Sequence, residues 1–188
     1  MVSLLEVNMR EYLLLLPIIF IIHDMEEIVG FGWFFRNNPR LFDRYPKVMD
    51  MYRDLKEMPW KLGVYEEFIP FFGVSLLAYY FPSDVLNSIW YGFFMALTAH
   101  FFIHIGFSLK IRKYIPSVIT SAAGIPVSIL ILYKCAQLMT FDSYSVTFVI
   151  VGIVLMIGNF CFLKWGMTFL SRKLEFKNDV RFYTGDET

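Results

Sequence analysis

The sequence predicts an all-α polytopic membrane protein: a single domain over residues 1–188, built as a bundle of five transmembrane helices with one interfacial cytoplasmic helix. Hydrophobic residues make up 57% of the chain and charged residues 18%, against about 45–50% and about 25% in ordinary soluble domains. Mean hydropathy is +0.53. Five separate apolar stretches reach the roughly 20 residues that a helix needs to cross a bilayer. This composition excludes a disordered chain, a coiled coil and a typical soluble enzyme.

The five predicted spans occupy more than half of the chain. Because lipid offers the backbone no hydrogen-bond partner, each of them must be helical. Only Arg10 precedes the first span as a basic residue, and the apolar character continues past three carboxylates. We therefore expect this span to be retained and not cleaved as a signal peptide. We place the spans at residues 12–35, 62–81, 85–109, 115–139 and 144–170.

The loop between the first two spans contains a second kind of pattern, over residues 46–58. Its apolar residues recur at helical spacing, and charged residues fill the opposite face. This pattern predicts an amphipathic helix that lies on the inner membrane surface. A linker helix in the cytoplasm is the alternative. The apolar residues are Val48, Met51, Tyr52, Leu55 and Met58.

The basic residues predict the orientation of the spans. Of 17 lysines and arginines, 15 lie between spans one and two, between spans three and four, or towards the end of span five and beyond it. Only Arg10 and Lys134 fall on the opposite side. The positive-inside rule then predicts a multi-pass protein with its N-terminus outside and its C-terminus in the cytoplasm. The net charge of zero gives no general attraction to nucleic acid, so we expect no such partner.

Ionisable residues interrupt the first three spans. A charged side chain at the centre of a bilayer costs about 2.5–3.5 kcal/mol on insertion scales. These residues must therefore be paired, protonated or bound to a partner inside the bundle. They include all three histidines of the chain. The residues are His23, Asp24, Glu26 and Glu27 in the first span, Glu66 and Glu67 in the second, and His100 and His104 in the third.

The spacing of these residues predicts a metal site. His100 and His104 stand at i, i+4, which allows two imidazoles on one helix face to bind one ion. His23 shares a helix face with Glu27 at i+4 and with Glu26 at i+3. We expect the three histidines to be metal ligands, and Glu27 or Glu26 to be an oxygen ligand or the general base. Zinc is the expected metal, and iron or manganese are the alternatives.

Depth in the membrane supports a common site. With a rise of about 1.5 Å per residue, the histidines and carboxylates all fall in the cytoplasmic half of the bilayer. Glu66 and Glu67 are further candidates, but neighbouring helical residues point about 100° apart, so only one of them faces the site. We choose Glu67. Asn159 in the fifth span lies at a similar depth and is the last candidate.

Three hypotheses about function follow. The first is a membrane-embedded, metal-dependent enzyme for a lipid or other apolar substrate, hydrolytic, with a metal-bound water as nucleophile and Glu27 as base. The second is a metal-independent lipid isomerase that uses His/Glu acid–base chemistry. The third is a transporter or binding protein in which the polar network is structural. In each case the bilayer and an apolar molecule are the expected partners, and the oligomeric state stays open.

The segment His-Asp-Met-Glu-Glu at residues 23–27 resembles the motif of the HXXEE domain family of small multi-span membrane proteins. The resemblance rests on His23, Glu26 and Glu27, and the pair His100-x-x-x-His104 is similar to that family's second polar motif. It implies one domain over most of the chain and marks key positions, but it implies no reaction. The layout of spans with intramembrane His and Glu also resembles the emopamil-binding sterol isomerases, which motivates the metal-free hypothesis.

Overall fold

The computed structural model describes residues 8–53 and 55–173. This part of the chain begins with a short 3-10 turn at Met9–Glu11 and is otherwise built of α-helices, with no β-strand among the residues described. The α-helices are α1 (Leu15–Arg36), α2 (Arg40–Arg44), α3 (Pro46–Arg53), α4 (Glu57–Tyr80), α5 (Asp84–Ile111), α6 (Val118–Ala136) and α7 (Ser143–Lys173).

Four helices in the described part, α4, α5, α6 and α7, are long and apolar enough to cross a membrane. They correspond to the second to fifth predicted spans, and each end agrees with the prediction to within five residues. The predicted first span corresponds to α1, which has 22 residues. Because α1 contains three carboxylates, Asp24, Glu26 and Glu27, it is too polar to count as a membrane-spanning helix on composition alone. The prediction of an all-helical protein is thus confirmed for the described residues, with four helices that could span a membrane; the fifth crossing stays a prediction.

Two apolar clusters hold the bundle, one at each end. The first cluster joins the segment before α1 and the start of α5 to the ends of α4 and α6. The second joins the ends of α1, α5 and α7 to the starts of α4 and α6. The long helices therefore alternate in direction: α1, α5 and α7 run one way, and α4 and α6 run the other.

Trp90 ties three helices together in the first cluster. Its indole is fully buried, and a buried indole N–H requires an acceptor. Nε1 donates to the carbonyl oxygen of Leu13 at 2.9 Å and contacts Oγ of Ser75 at 3.2 Å. Ser75 in turn donates to the carbonyl of Phe71 at 2.9 Å. The start of α1 is thereby fixed against α4 and α5.

Helix α7 crosses the bundle obliquely. Near its start it touches α5 backbone to backbone, since a Cβ atom on Gly92 would collide with the carbonyl of Val149 and with Gly152. Near its end it packs against α4, where a Cβ on Gly63 would collide with Met167. Helix α7 therefore leaves α5 for α4 along its length, and a space opens between α5 and α7 at the end of the second cluster.

The predicted amphipathic helix over residues 46–58 is shorter in the structure. Helix α3 ends at Arg53, and the residues from Glu57 onward belong to α4. Tyr52 is buried in the second cluster, with its ring centroid 4.8 Å from that of Phe35 and 5.6 Å from that of Trp60. The apolar face of α3 thus packs onto the bundle. Its position on the membrane surface stays a prediction, and Asp54 lies outside the described residues.

The contact between α5 and α7 gives a test of this packing. Gly92→Ala should destabilise the protein by about 1–3 kcal/mol, because the added methyl group must push two helix backbones apart. Gly158→Ala in α7 is the matched control: a Cβ there meets nothing within 4 Å, so stability should be unchanged or slightly raised. Thermal unfolding in detergent measures both. Equal stability of the two variants would contradict the backbone contact.

Candidate metal centre

Four side chains that the sequence predicts to act together meet at the middle of the bundle. His23 and Glu27 come from α1, and His100 and His104 come from α5. One nitrogen or oxygen of each lies within 4.8 Å of all the others. His23 is 1% exposed, and Glu27 and His104 are each 5% exposed. The i, i+4 spacing places each pair on one helix face, and the two faces meet between the two apolar clusters.

The distances within this cluster are those of close contact. Nε2 of His104 lies 3.0 Å from Oε1 of Glu27 and 2.7 Å from Nε2 of His100. Nε2 of His23 lies 3.7 Å from the same Glu27 oxygen. The three imidazoles and the carboxylate therefore direct one ligating atom each towards a common point. We call these four residues the His/Glu cluster.

Ser117 holds the ring of His104 from outside the His/Glu cluster. Ser117 precedes α6, and its hydroxyl lies 2.7 Å from Nδ1 of His104, which is a hydrogen-bond distance. This bond orients the imidazole so that Nε2 faces the His/Glu cluster.

Thr120 does the same for His23. The Thr120 hydroxyl lies 2.7 Å from Oε2 of Glu26 and 3.2 Å from the carbonyl of Ser117, and either acceptor uses its only proton. It must therefore accept from Nδ1 of His23, which lies 3.0 Å away. Nε2 of His23 then directs an electron pair into the His/Glu cluster.

The result is a cluster whose acceptors are not all satisfied. The Nε2 electron pair of His23 and a carboxylate oxygen of Glu27 face the Nε2 atoms of His100 and His104. Among the residues described, Nε2 of His23 and Oε1 of Glu27 are buried without a hydrogen-bond partner. Uncompensated electron pairs of this kind are costly in an apolar interior. A cation bound between them would compensate all of them at once.

The backbone of Ser117, in the turn before α6, has a strained conformation, and its hydroxyl lies beside His104. Ser117 is fully buried and has φ 83°, in the left-handed region that favours glycine. For a residue with a side chain this conformation costs about 1–3 kcal/mol and is held by its surroundings. Here α1 holds it, since a Cβ on Gly30 would collide with the ring of Pro116. This close approach of Gly30 brings the turn, and with it the Ser117 hydroxyl, to His104.

A cavity of about 700 Å³ adjoins the His/Glu cluster. Glu27, His100 and His104 form part of its wall, and Glu67 and Lys110 are its other charged residues. The remaining lining is mostly apolar and comes from α1, α3, α4, α5 and α7. These residues include Phe20, Val48, Trp60, Phe71, Leu97, Ile103, Phe107, Ile153, Met156, Ile157 and Phe160.

The sequence model of one protein family, described as a protein of unknown function with an HXXEE motif, matches residues 14–131. The chain belongs to the HXXEE family. The matched range runs from the entry to α1 into α6 and contains the whole His/Glu cluster, whereas α7 lies beyond it. No curated protein and no solved structure matches the chain.

The two glutamates of the HXXEE motif have different partners. Glu27 faces the His/Glu cluster with His23. Glu26 points about 100° away, towards α6, where it accepts hydrogen bonds from the backbone N–H of Thr120 at 2.9 Å and from the Thr120 hydroxyl at 2.7 Å. The hydroxyl of Tyr114 donates to its other oxygen at 2.8 Å. Glu26 therefore supports His23 through Thr120 and lies outside the cluster.

The other predicted candidates fall in two places. Glu67 lines the cavity together with the His/Glu cluster. Glu66 points elsewhere, with Oε2 3.5 Å from Nδ2 of Asn159, and neither of these two residues lines the cavity. Asp24 is 4% exposed, and its Oδ2 is buried without a hydrogen-bond partner among the residues described.

Sequence analysis missed the supporting residues on the α6 side, which are Tyr114, Ser117 and Thr120. Their spacing at i, i+3, i+6 before and into an apolar span was the available signal. Burial, together with the hydrogen bond to Glu26, raises the pKa of Tyr114 to about 12. The phenol therefore stays a neutral hydrogen-bond donor at physiological pH.

The hydrogen bonds predict the tautomer of His23 in metal-free protein. Its proton should lie on Nδ1, because the Thr120 hydroxyl donates to Glu26 and can therefore only accept from His23. Because the chain has only three histidines, ¹⁵N-histidine NMR reports on the His/Glu cluster alone. At least one Nδ1–H ring is expected, and its signal should be absent from His23→Ala. Three Nε2–H rings would contradict the assigned role of Thr120.

Proposed function

We propose that this HXXEE protein is a membrane-embedded, metal-dependent enzyme that acts on a lipid or other apolar molecule, with hydrolysis as its reaction. One observation carries the proposal. Nε2 of His23, Nε2 of His104 and Oε1 of Glu27 converge in a buried place, and the hydrogen bond from Nδ1 of His23 to Thr120 keeps the Nε2 electron pair of His23 directed inward. A divalent cation is the partner that such a donor set prefers.

The distances support this assignment. Tetrahedral zinc with bonds of about 2.0–2.1 Å has ligand atoms about 3.4 Å apart. Three separations in the His/Glu cluster are 2.7, 3.0 and 3.7 Å, and all lie within 4.8 Å, so side-chain shifts would bring the four atoms to a zinc ion. Iron and manganese accept the same combination of imidazole and carboxylate.

The hydrogen bonds around the His/Glu cluster also support a metal site. Metal-binding histidines almost always donate their second N–H to an oxygen, which sets the tautomer and the ring orientation. His23 donates to Thr120, which is held by Glu26, and Nδ1 of His104 is hydrogen-bonded to Ser117. Each imidazole on the α6 side thus has the outer support that a metal ligand needs.

The cavity indicates which chemistry such a metal would serve. A divalent cation polarises a carbonyl and lowers the pKa of a bound water towards about 7. Glu27 and Glu67 line the cavity and are the carboxylates placed to accept a proton there. The mostly apolar wall fits a hydrocarbon body. These features together favour hydrolysis of a bond within a lipid-like molecule.

A metal-independent isomerase is the second candidate. Its support is the 2.7 Å separation of the Nε2 atoms of His100 and His104, which is a hydrogen-bond distance and would let a proton move between the two rings. Elemental analysis separates the candidates. A transporter or binding protein with a structural network is the remaining alternative, and it too predicts no stoichiometric metal.

We also propose that α1 is a fifth membrane crossing. Its 22 residues extend about 33 Å, and it lies beside α4 between the same two apolar clusters. Asp24 and Glu27 are buried inside the bundle, and Glu26 is hydrogen-bonded to Tyr114 and Thr120. Of the described basic residues, all but Arg10 and Lys134 lie towards the end that holds the second cluster. That end is then cytoplasmic, with α3 at the inner membrane surface.

Metal content tests the proposed function. Purified protein should contain about one zinc, iron or manganese ion per chain, and His104→Ala and Glu27→Gln should lose it because each removes a ligand. Glu66→Gln is the matched control, since Glu66 lies in the same bundle at similar depth outside the His/Glu cluster. Metal analysis by mass spectrometry after zinc loading and desalting measures all four proteins. Equal metal content in Glu27→Gln and Glu66→Gln, or none in the parent protein, would refute the metal site.

Tag accessibility tests the topology. A tag at the N-terminus should be reached by protease or antibody only from outside, and a tag following Ser171 only from the cytoplasm, because five crossings place the ends on opposite sides. Sealed and permeabilised cells provide the comparison. Both tags on one side would mean that α1 does not cross the membrane.

A further inference from the structure

The cavity beside the His/Glu cluster opens sideways, between α5 and α7. Several residues that line it are also exposed on the outside of the bundle. On α5, Ile103 is 66% exposed and lies beside Gly106, and on α7, Ile157 is 59% exposed and lies beside Phe160. The outer surface of these helices is apolar and, in the proposed orientation, faces lipid. The opening, which we call the slit, therefore connects the site to the bilayer.

The slit is confined to one half of the bundle. Helix α7 is closed against α5 by the backbone contact of Gly92 with Gly152, and it leaves α5 for α4, which it meets at Gly63 and Met167. The lining of α7 begins at Ile153, immediately after this contact. The slit thus lies in the half of the bundle that we assign to the cytoplasmic leaflet.

A single cation marks the end of the slit. Ile103, Gly106 and Lys110 stand at i, i+3 and i+7, so they form one stripe along α5. Lys110 lies next to the last residue of α5 and is exposed. The described part of the chain places no carboxylate at ion-pair distance from it.

The charges of the cavity are therefore segregated. Glu27 and Glu67 lie deeper in the bundle, and the lysine lies at its cytoplasmic end. An anionic head group is attracted by the Lys110 ammonium, so it is held with its charge at the cytoplasmic end of the cavity. Along α5, His104 and His100 are about 9 and 15 Å from Lys110. A molecule held in this way brings a bond near the start of its apolar part to the His/Glu cluster.

We infer that the substrate of the proposed enzyme is an anionic amphiphile of the cytoplasmic leaflet, which enters through the slit and is held by its phosphate or carboxylate head group at Lys110. That this molecule is a substrate rests on the proposed function, but its binding at the slit and Lys110 does not require a metal. The slit, the apolar wall of the cavity and Lys110 together match a membrane lipid with a negatively charged head group and a hydrocarbon body.

Lipid binding to metal-free protein tests this inference. The full-length chain, treated with chelator in detergent, is titrated with phosphatidic acid, a long-chain fatty acid or phosphatidylcholine, and bound lipid is counted by native mass spectrometry. Both anionic lipids should bind more tightly than phosphatidylcholine. If only one of them does, the head group is identified as phosphate or as carboxylate.

Two pairs of variants separate the slit from the general surface. Lys110→Gln should lose about fivefold of the anionic preference, which corresponds to about 1 kcal/mol for a lysine near a charged lipid. Lys164→Gln, an exposed lysine on α7 that does not line the cavity, should keep it. Gly106→Leu should fill the slit and weaken binding of every lipid, whereas Gly158→Leu should not. Neither glycine has an atom within 4 Å of an added Cβ, so both variants should fold.

The results of these lipid-binding experiments can be told apart from those of the metal analysis. Equal affinity for anionic and zwitterionic lipids, or equal effects of Lys110→Gln and Lys164→Gln, would overturn the anionic head group. Unchanged binding in Gly106→Leu would overturn entry through the slit. Anionic binding that depends on Lys110 in a protein without stoichiometric metal would uphold the site while refuting the metalloenzyme.

Discussion

The hydrogen bonds between two imidazoles and the hydroxyls beside α6 determine how the buried cluster is arranged. Thr120 accepts from Nδ1 of His23 because its own proton goes to Glu26, and the Ser117 hydroxyl lies 2.7 Å from Nδ1 of His104. Both rings are thereby held with Nε2 facing Glu27. Among the residues described, the Nε2 electron pair of His23 and Oε1 of Glu27 are left buried without a hydrogen-bond partner, which is costly in an apolar interior.

The hydrogen bonds that arrange the site also stabilise the fold. Helix α1 carries three carboxylates and is the one long helix that does not qualify as a span on composition. It is stabilised in the bundle because Glu26 accepts three hydrogen bonds from α6 and the residues before it, and because Glu27 meets His104. Removing these contacts would leave buried charge uncompensated, which is far more costly than losing a surface ion pair.

The sequence predicted what depends on local pattern. The four long helices were placed well because apolar run length is a strong signal, and the His/Glu cluster followed from i, i+4 spacing and equal depth. Helix α2 lies in a short stretch that carries no such period, and the break between α3 and α4 falls within the helical spacing of residues 46–58, which therefore did not reveal it. The support of His23 by Thr120 joins residues 97 positions apart. It depends on the contact of Gly30 with Pro116, which no local pattern reveals.

The residues of the His/Glu cluster and the residues that form the outer wall of the cavity lie in different parts of this chain. The ligating atoms and their hydroxyl supports all lie on α1, α5 and the start of α6, inside the range that matches the HXXEE family. The outer wall of the cavity comes from α7, through Ile153, Met156, Ile157 and Phe160, and lies beyond that range. Because none of the ligating atoms or their hydroxyl supports lies on α7, side chains of α7 along the slit can change in size without replacing a donor. The shape of the apolar molecule that fits is thus set by α7, independently of the centre that would act on it.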